Sequence, residues 1–119
     1  GIKTTNATPA ELRTRPQYAT GYITIPSNCA WVFEAFVLGK KLNNTDSVAA
    51  YKFEGVLINN NATVTLQGLV KTVLYEADAA WDCDVTADDT NDALAITVTG
   101  KASTTIWWVA DIRFSQINL

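Results

Sequence analysis

Polar and apolar residues alternate with a period of two through most of the chain, in runs separated by clusters of Asn, Asp, Gly and Pro. That is the signature of β-strands that turn one face toward a core. About seven or eight runs satisfy the template. The first strong one spans Ala19 to Ile25 and closes at Pro26-Ser27-Asn28, where proline ends the ladder and Ser-Asn makes the turn. Cys29 to Lys41 follows, with Trp31, Phe33, Ala35 and Val37 on the face expected inside and Glu34 and Lys40 on the other.

Asn43-Asn44-Thr45-Asp46 turns the chain into Val48 to Ile58, where Ala49, Tyr51, Phe53 and Leu57 share the inner face and Lys52 and Glu54 the outer one. Asn59-Asn60-Asn61 is the next turn, since asparagine tolerates the left-handed conformation. Val64 to Tyr75 is expected to place Val64, Leu66, Val70 and Leu74 inward and Gln67 and Lys71 outward, with Gly68 marking a bulge or a close approach of backbones. Ala80 to Thr86 points Trp81, Cys83 and Val85 inward against Asp82 and Asp84. After the acidic turn 88–92, Leu94, Ile96 and Val98 alternate with Ala95, Thr97 and Thr99, as in a half-buried strand. The last run, Thr104 to Ile117, aligns Ile106, Trp108, Ala110, Ile112 and Phe114 on one side and Asp111 and Arg113 on the other.

Only Pro9 to Tyr18 escapes the alternation. There Thr8-Pro9-Ala10-Glu11-Leu12 has the makings of one helical turn, a threonine cap with proline at the first position and glutamate at the third, which Pro16 then stops. The fold class expected is all-β, an antiparallel β-sandwich with jelly-roll and immunoglobulin-like strand orders both open. At 119 residues the chain makes one domain, 1–119, in which residues 1–18 serve as an N-terminal connecting segment.

Composition narrows the function. Apolar residues make up 48% of the chain and charged ones 18%, a globular balance, and the net charge of −3 supplies no counterion release for nucleic-acid binding. No apolar run approaches the roughly 20 residues of a membrane-spanning helix, so no membrane insertion is expected. Methionine is absent and Gly1 comes first, which reads as a domain taken from a longer protein. Cys29 and Cys83 are too few for a disulfide framework and form no CxxC pair, so they read as two reduced core thiols.

Histidine is also absent, which removes the commonest general base, the Ser-His and Cys-His nucleophile pairs and the best metal ligand. A carboxylate pair for glycoside hydrolysis remains as a chemical option among Glu34, Glu54, Glu76, Asp78 and Asp82, although period two sends Glu34 and Glu54 to a solvated sheet face. The acidic stretch from Asp78 to Asp92 lacks the spacing of a calcium-binding loop and reads as turn chemistry. The Asn-x-Thr triplets at Asn6, Asn43 and Asn61 likewise mark turns rather than glycans. No catalytic residue, metal or cofactor is expected, and the chain reads as one that binds or assembles.

The inward assignments leave Phe36, Leu38, Leu69, Val73, Trp107, Val109 and Ile117 on outer faces, more large apolar groups than one solvated face carries. Either a sheet wraps so that both faces are partly internal, or these residues form a subunit interface. Exposed aromatics also suit sugar stacking with Asp and Asn on the hydroxyls, and the Trp107-Trp108 pair sends one indole to each face. The candidate interface or glycan-binding residues are Trp107, Val109, Phe36, Leu38 and Asp82.

Several strings taken in order carry a family likeness. They are residues 4–9 (TTNATP), 32–37 (VFEAFV), 49–55 (AAYKFEG), 78–82 (DAAWD), 96–100 (ITVTG) and 106–110 (IWWVA). Together they resemble a domain found near the ends of tail-fibre and related minor structural proteins of bacteriophages and prophages. The resemblance covers nearly the whole chain. It implies a virion component assembled in the bacterial cytoplasm, commonly as a homotrimer, that ends a fibre or contacts a host-surface glycan.

Overall fold

A computed structural model describes residues 1–13, 21–43 and 47–118. The strands, in chain order, are β1 (Ile2–Thr4), β2 (Ala10–Glu11), β3 (Ile23–Thr24), β4 (Cys29–Lys41), β5 (Val48–Asn60), β6 (Thr63–Glu76), β7 (Asp82–Asp88), β8 (Ala93–Thr99) and β9 (Ile106–Asn118). Every pairing is antiparallel, and two sheets pack as a β-sandwich. The larger sheet runs β1-β9-β4-β5-β6. In the smaller one β8 is central, with β7 along one edge and the short β2 and β3 at opposite ends of the other. Among the described residues no helix is long and apolar enough to cross a membrane.

The period-two pattern is realised most cleanly in β4 and β5. Their odd positions, from Trp31, Phe33, Ala35 and Val37 to Ala49, Tyr51, Phe53 and Leu57, are buried, and β7 and β8 meet them with Cys83, Val85, Leu94, Ile96 and Val98. Each large side chain removed from water in this layer contributes roughly 1.5–3 kcal/mol. Trp81 and Trp108 meet edge to face between the sheets, 6.2 Å apart at 65°. Trp108 lies across Gly39, where an added Cβ would come within 2.6 Å of the indole, so β4 needs a glycine at that point. The Trp108 indole N–H donates to Thr4 Oγ1 at 2.9 Å, which ties β1 into the core. Cys29 and Cys83 are both buried and unpaired, and burial pushes the Cys83 thiol up to about 12.

Three expectations are corrected. Ala10–Glu11 is a strand rather than the start of a helical turn: it pairs with Val98 and Thr97, and Leu12 N–H donates to Ile96 O at 2.7 Å. The turn before it is closed by Asn6, whose side-chain oxygen accepts from Thr8 N–H, so a tertiary ladder overrides a weak local cap. Residues 1–13 supply β1 and β2, which lie in different sheets. The run expected from Ala19 appears as the short Ile23–Thr24; Ala19, Thr20, Pro16 and the turn residues 44–46 fall outside the described residues.

The third correction concerns β6, where the register shifts twice against β5. Val56 faces Gln67 but Glu54 faces Val70, so Gly68 and Leu69 bulge out, with Gly68 at φ +61°. Ala50 faces Tyr75 but Tyr51 faces Val73, so Leu74 is the second extra residue. Opposed residues share a face. Val70 therefore lies outward opposite Glu54, Lys71 inward opposite Phe53, and Val73 on the inner side, where it remains exposed.

Strand length explains why much of the larger sheet is bare. At roughly 3.4 Å per residue, 13 residues span about 44 Å and seven about 24 Å, and the long strands of the larger sheet face β7 and β8 of seven residues each. In β9 the residues on the core side are Ile106, Trp108, Ala110, Ile112 and Phe114, as the alternation predicts, yet only Ile106 and Trp108 are buried.

Candidate functional site

The outer face of the larger sheet turns away from the sandwich, and it gathers the apolar side chains that the sequence leaves without cover. Leu38 on β4 stands between Val109 on β9 and Ala50 on β5, because each is the registered neighbour of the next. Phe36 lies two positions along β4, on the same face. With Leu74 these side chains line a shallow apolar hollow of about 260 Å³. Phe36, Leu38 and Val109 thus meet in one patch. Leu74 was expected inside, and the bulge in β6 brings it here.

A charged band borders the hollow. Lys52, opposite Phe36, reaches Glu54 at 2.9 Å and Glu34 at 3.7 Å, and its ammonium sits 5.7 Å from the Phe36 ring centre. The hydrogen bond to Glu54 is the first cause of its raised pKa, with Glu34 adding to it. Arg113 reaches Asp111 at 3.5 Å on β9. Beyond this band Val32, Val56 and Val70 resume an apolar surface around a second groove of about 470 Å³. Glu34 and Glu54 face each other directly across β4 and β5. Both stand on an open sheet face with Lys52 between them, a setting that does not exclude water from a reacting group.

Trp107 is 44% exposed while Trp108 is 0% exposed, which is the division that a regular strand demands of adjacent tryptophans. Its registered neighbours are Lys3 on β1 and Lys40 on β4, and the Lys3 ammonium lies 5.1 Å from the indole centre. It belongs to the same outer face as the hollow, toward the β1 end of β9.

Asp82 does not join this group. It sits on β7, in the smaller sheet, where Lys71 of β6 reaches across to it at 2.7 Å and to Asp84 at 3.3 Å. For Asp82 burial is the largest single influence and works against ionisation, but the hydrogen bonds from Lys71 and the Cys83 backbone together with the Lys71 charge outweigh it, so the carboxyl is held below the ordinary range. For Lys71 burial likewise opposes the charge and the two aspartates overcome it, raising its pKa. Asp82 is a structural latch between the sheets. The acidic turn is spent in the same way: Asp89 accepts from Val64 N–H at 2.7 Å and Asp88 accepts from Asn91 N–H at 3.1 Å. Among the described residues no group of three His, Cys, Asp or Glu side chains converges as a metal site.

No protein-family model matches the chain, and no curated protein matches it. Among solved structures it is similar to the tailspike protein of an Acinetobacter phage, at 10% sequence identity and a TM-score of 0.42. That match covers 96% of this chain and 22% of the tailspike chain, so the chain spans about a fifth of that protein's length.

Proposed function

We propose that this chain is a structural and host-recognition domain of a phage tail fibre, and that it binds or assembles rather than catalyses. The observation that carries the assembly half is the bare outer face of the larger sheet, where Phe36, Leu38, Leu74 and Val109 stand in water around one hollow. A contiguous apolar patch bordered by charge is the surface that subunit contacts cover. The virion assignment is supported by the resemblance of the sequence strings to tail-fibre domains, which also implies three copies and a bacterial surface glycan as the ligand. Localisation in the virion follows from the same resemblance.

Light scattering on the chain across a concentration series tests the reading. Association of the wild type, abolished by Leu38→Lys with the circular-dichroism spectrum retained, is the expected result. A wild type that stays monomeric at the highest concentration reached, or association indifferent to Leu38→Lys, overturns it.

A further inference from the structure

One row across the outer face of the larger sheet is cationic. Trp107 on β9 stands between Lys3 on β1 and Lys40 on β4, its registered neighbours on either side, and residues so opposed share a face. The row therefore runs ammonium, indole, ammonium over three strands, a breadth of roughly 10 Å. Beside it on the same face lie Val109, Leu38 and Val48, none of them charged. The first carboxylate on this side of β9 is Asp111, four residues on and roughly 13 Å away, and it already holds Arg113. The chain leading into β1 passes along Val109 and away from this row, because β1 runs antiparallel to β9.

Lys3 also uses its charge differently from the cations elsewhere. Arg13, Lys52, Lys71, Lys101 and Arg113 each reach a carboxylate. Lys3 reaches none among the described residues; its ammonium lies 5.1 Å from the Trp107 ring centre, and the tryptophan is still 44% exposed beside it. An exposed indole accepts the C–H face of a sugar ring, and an ammonium accepts a carboxylate through charge-assisted hydrogen bonds. A neutral sugar would use the ring and leave the lysine charge unanswered. A nucleic acid, with a charge at every phosphate, would be repelled by a chain of net charge −3. A sugar bearing one carboxylate suits both the ring and its flanks.

We propose that Lys3, Trp107 and Lys40 form a binding site for an acidic sugar, a uronic or sialic acid residue of a surface glycan. The pyranose stacks on the open part of the indole and its carboxylate takes the Lys3 ammonium. Lys40, on the opposite flank, donates to a ring hydroxyl, since an ammonium carries three donors. The proposal rests on the host-recognition half of the function above and gives it a place and a ligand class. Exposed contacts of this kind are individually weak, so one site should hold its sugar with a dissociation constant on the order of millimolar. The three copies that the resemblance implies would gain by engaging a repeating glycan together.

Two-dimensional N–H NMR on the chain, read at the Trp107 indole, tests it by titration with glucuronate, galacturonate and N-acetylneuraminate, with glucose and galactose, and with acetate. At least one acidic sugar should shift that resonance and bind about fivefold more tightly than the neutral sugars. Lys3→Gln should erase the preference, Lys3→Arg should keep it, and Trp107→Ala, with its circular-dichroism spectrum retained, should lose acidic and neutral sugars alike. Equal affinity for acidic and neutral sugars overturns the proposal and leaves a neutral glycan as the ligand. Acetate bound as tightly as the acidic sugars overturns it as an adventitious ion only. No shift at Trp107 with any sugar overturns it and the host-recognition half with it. The light-scattering result does not depend on these titrations, so the assembly half of the function stands or falls separately.

Discussion

The larger sheet has two edges of similar length and opposite character. Along β6, two bulges break the ladder within fourteen residues and Lys71 turns its charge inward toward Asp82 and Asp84. Along β9, the ladder with β4 continues without a break and residues 110–118 keep uncharged side chains on the inner face. The first edge carries bulges and an inward-pointing charge, two of the devices by which sheets avoid joining one another, and among the described residues β9 has neither. The difference is local in origin. One glycine at φ +61° resets the alternation of β6, so a lysine in outward phase by simple counting becomes a guard on the inner rim.

The largest test of this contrast lies within β9 itself. Trp108→Ala removes a fully buried indole and should cost about 3–5 kcal/mol in urea denaturation, whereas Phe114→Ala, on the same face of the same strand, should cost about 1 kcal/mol for its stacking on Trp31. Equal costs would mean that the sandwich covers β9 throughout its length.

A smaller effect is expected at the guarded edge. Lys71→Val leaves Asp82 and Asp84 without their cation and should lower stability by about 0.5–1 kcal/mol, the pair being partly exposed. It should also raise turbidity on concentration, because β6 loses its inward charge. Unchanged solubility would leave the bulges as the whole of the protection.

The smallest effect concerns pH. Asp82, Asp78 and Asp88 are all held below the ordinary carboxylate range, Asp78 first by its hydrogen bond from Lys101 and Asp88 first by Asn91. A depressed carboxyl binds fewer protons folded than unfolded, so its stabilisation is present above the unfolded value near 4 and is lost as pH falls through the folded one. Thermal stability should therefore fall below about pH 4, and Asp82→Asn should flatten that fall by about a few tenths of a kcal/mol. A slope identical to wild type would remove the latch from Asp82.

Where alternation is uninterrupted, the strands could be read residue by residue: the run from Cys29 to Lys41 is β4 at both ends, and its inner set is the buried set. The same regularity brought Phe36, Leu38 and Val109 to one outer patch. Leu74 and Lys71 were unreadable because periodicity has no memory across a bulge, even where Gly68 announced one. Ile112 and Phe114 were read on the correct side and still lie outside the covered core, since a strand's own pattern shows which way a side chain points but not how far the opposing layer extends. Asp82, expected among the interface or glycan-binding residues, stands on the smaller sheet, and only the tertiary reach of Lys71 shows its role.

The bond between the Trp108 indole and Thr4 joins residues 104 positions apart, and β9 lies between β1 and β4. On the ribosome, β4, β5 and β6 can zip together as successive hairpins while the seat over Gly39 stays wet, because the strand that fills it is made after all the others. A loop of that span closes slowly. The nascent chain therefore carries an open sheet margin until residues 106–118 have emerged, and a ribosome stalled before that point would hold its most adhesive form.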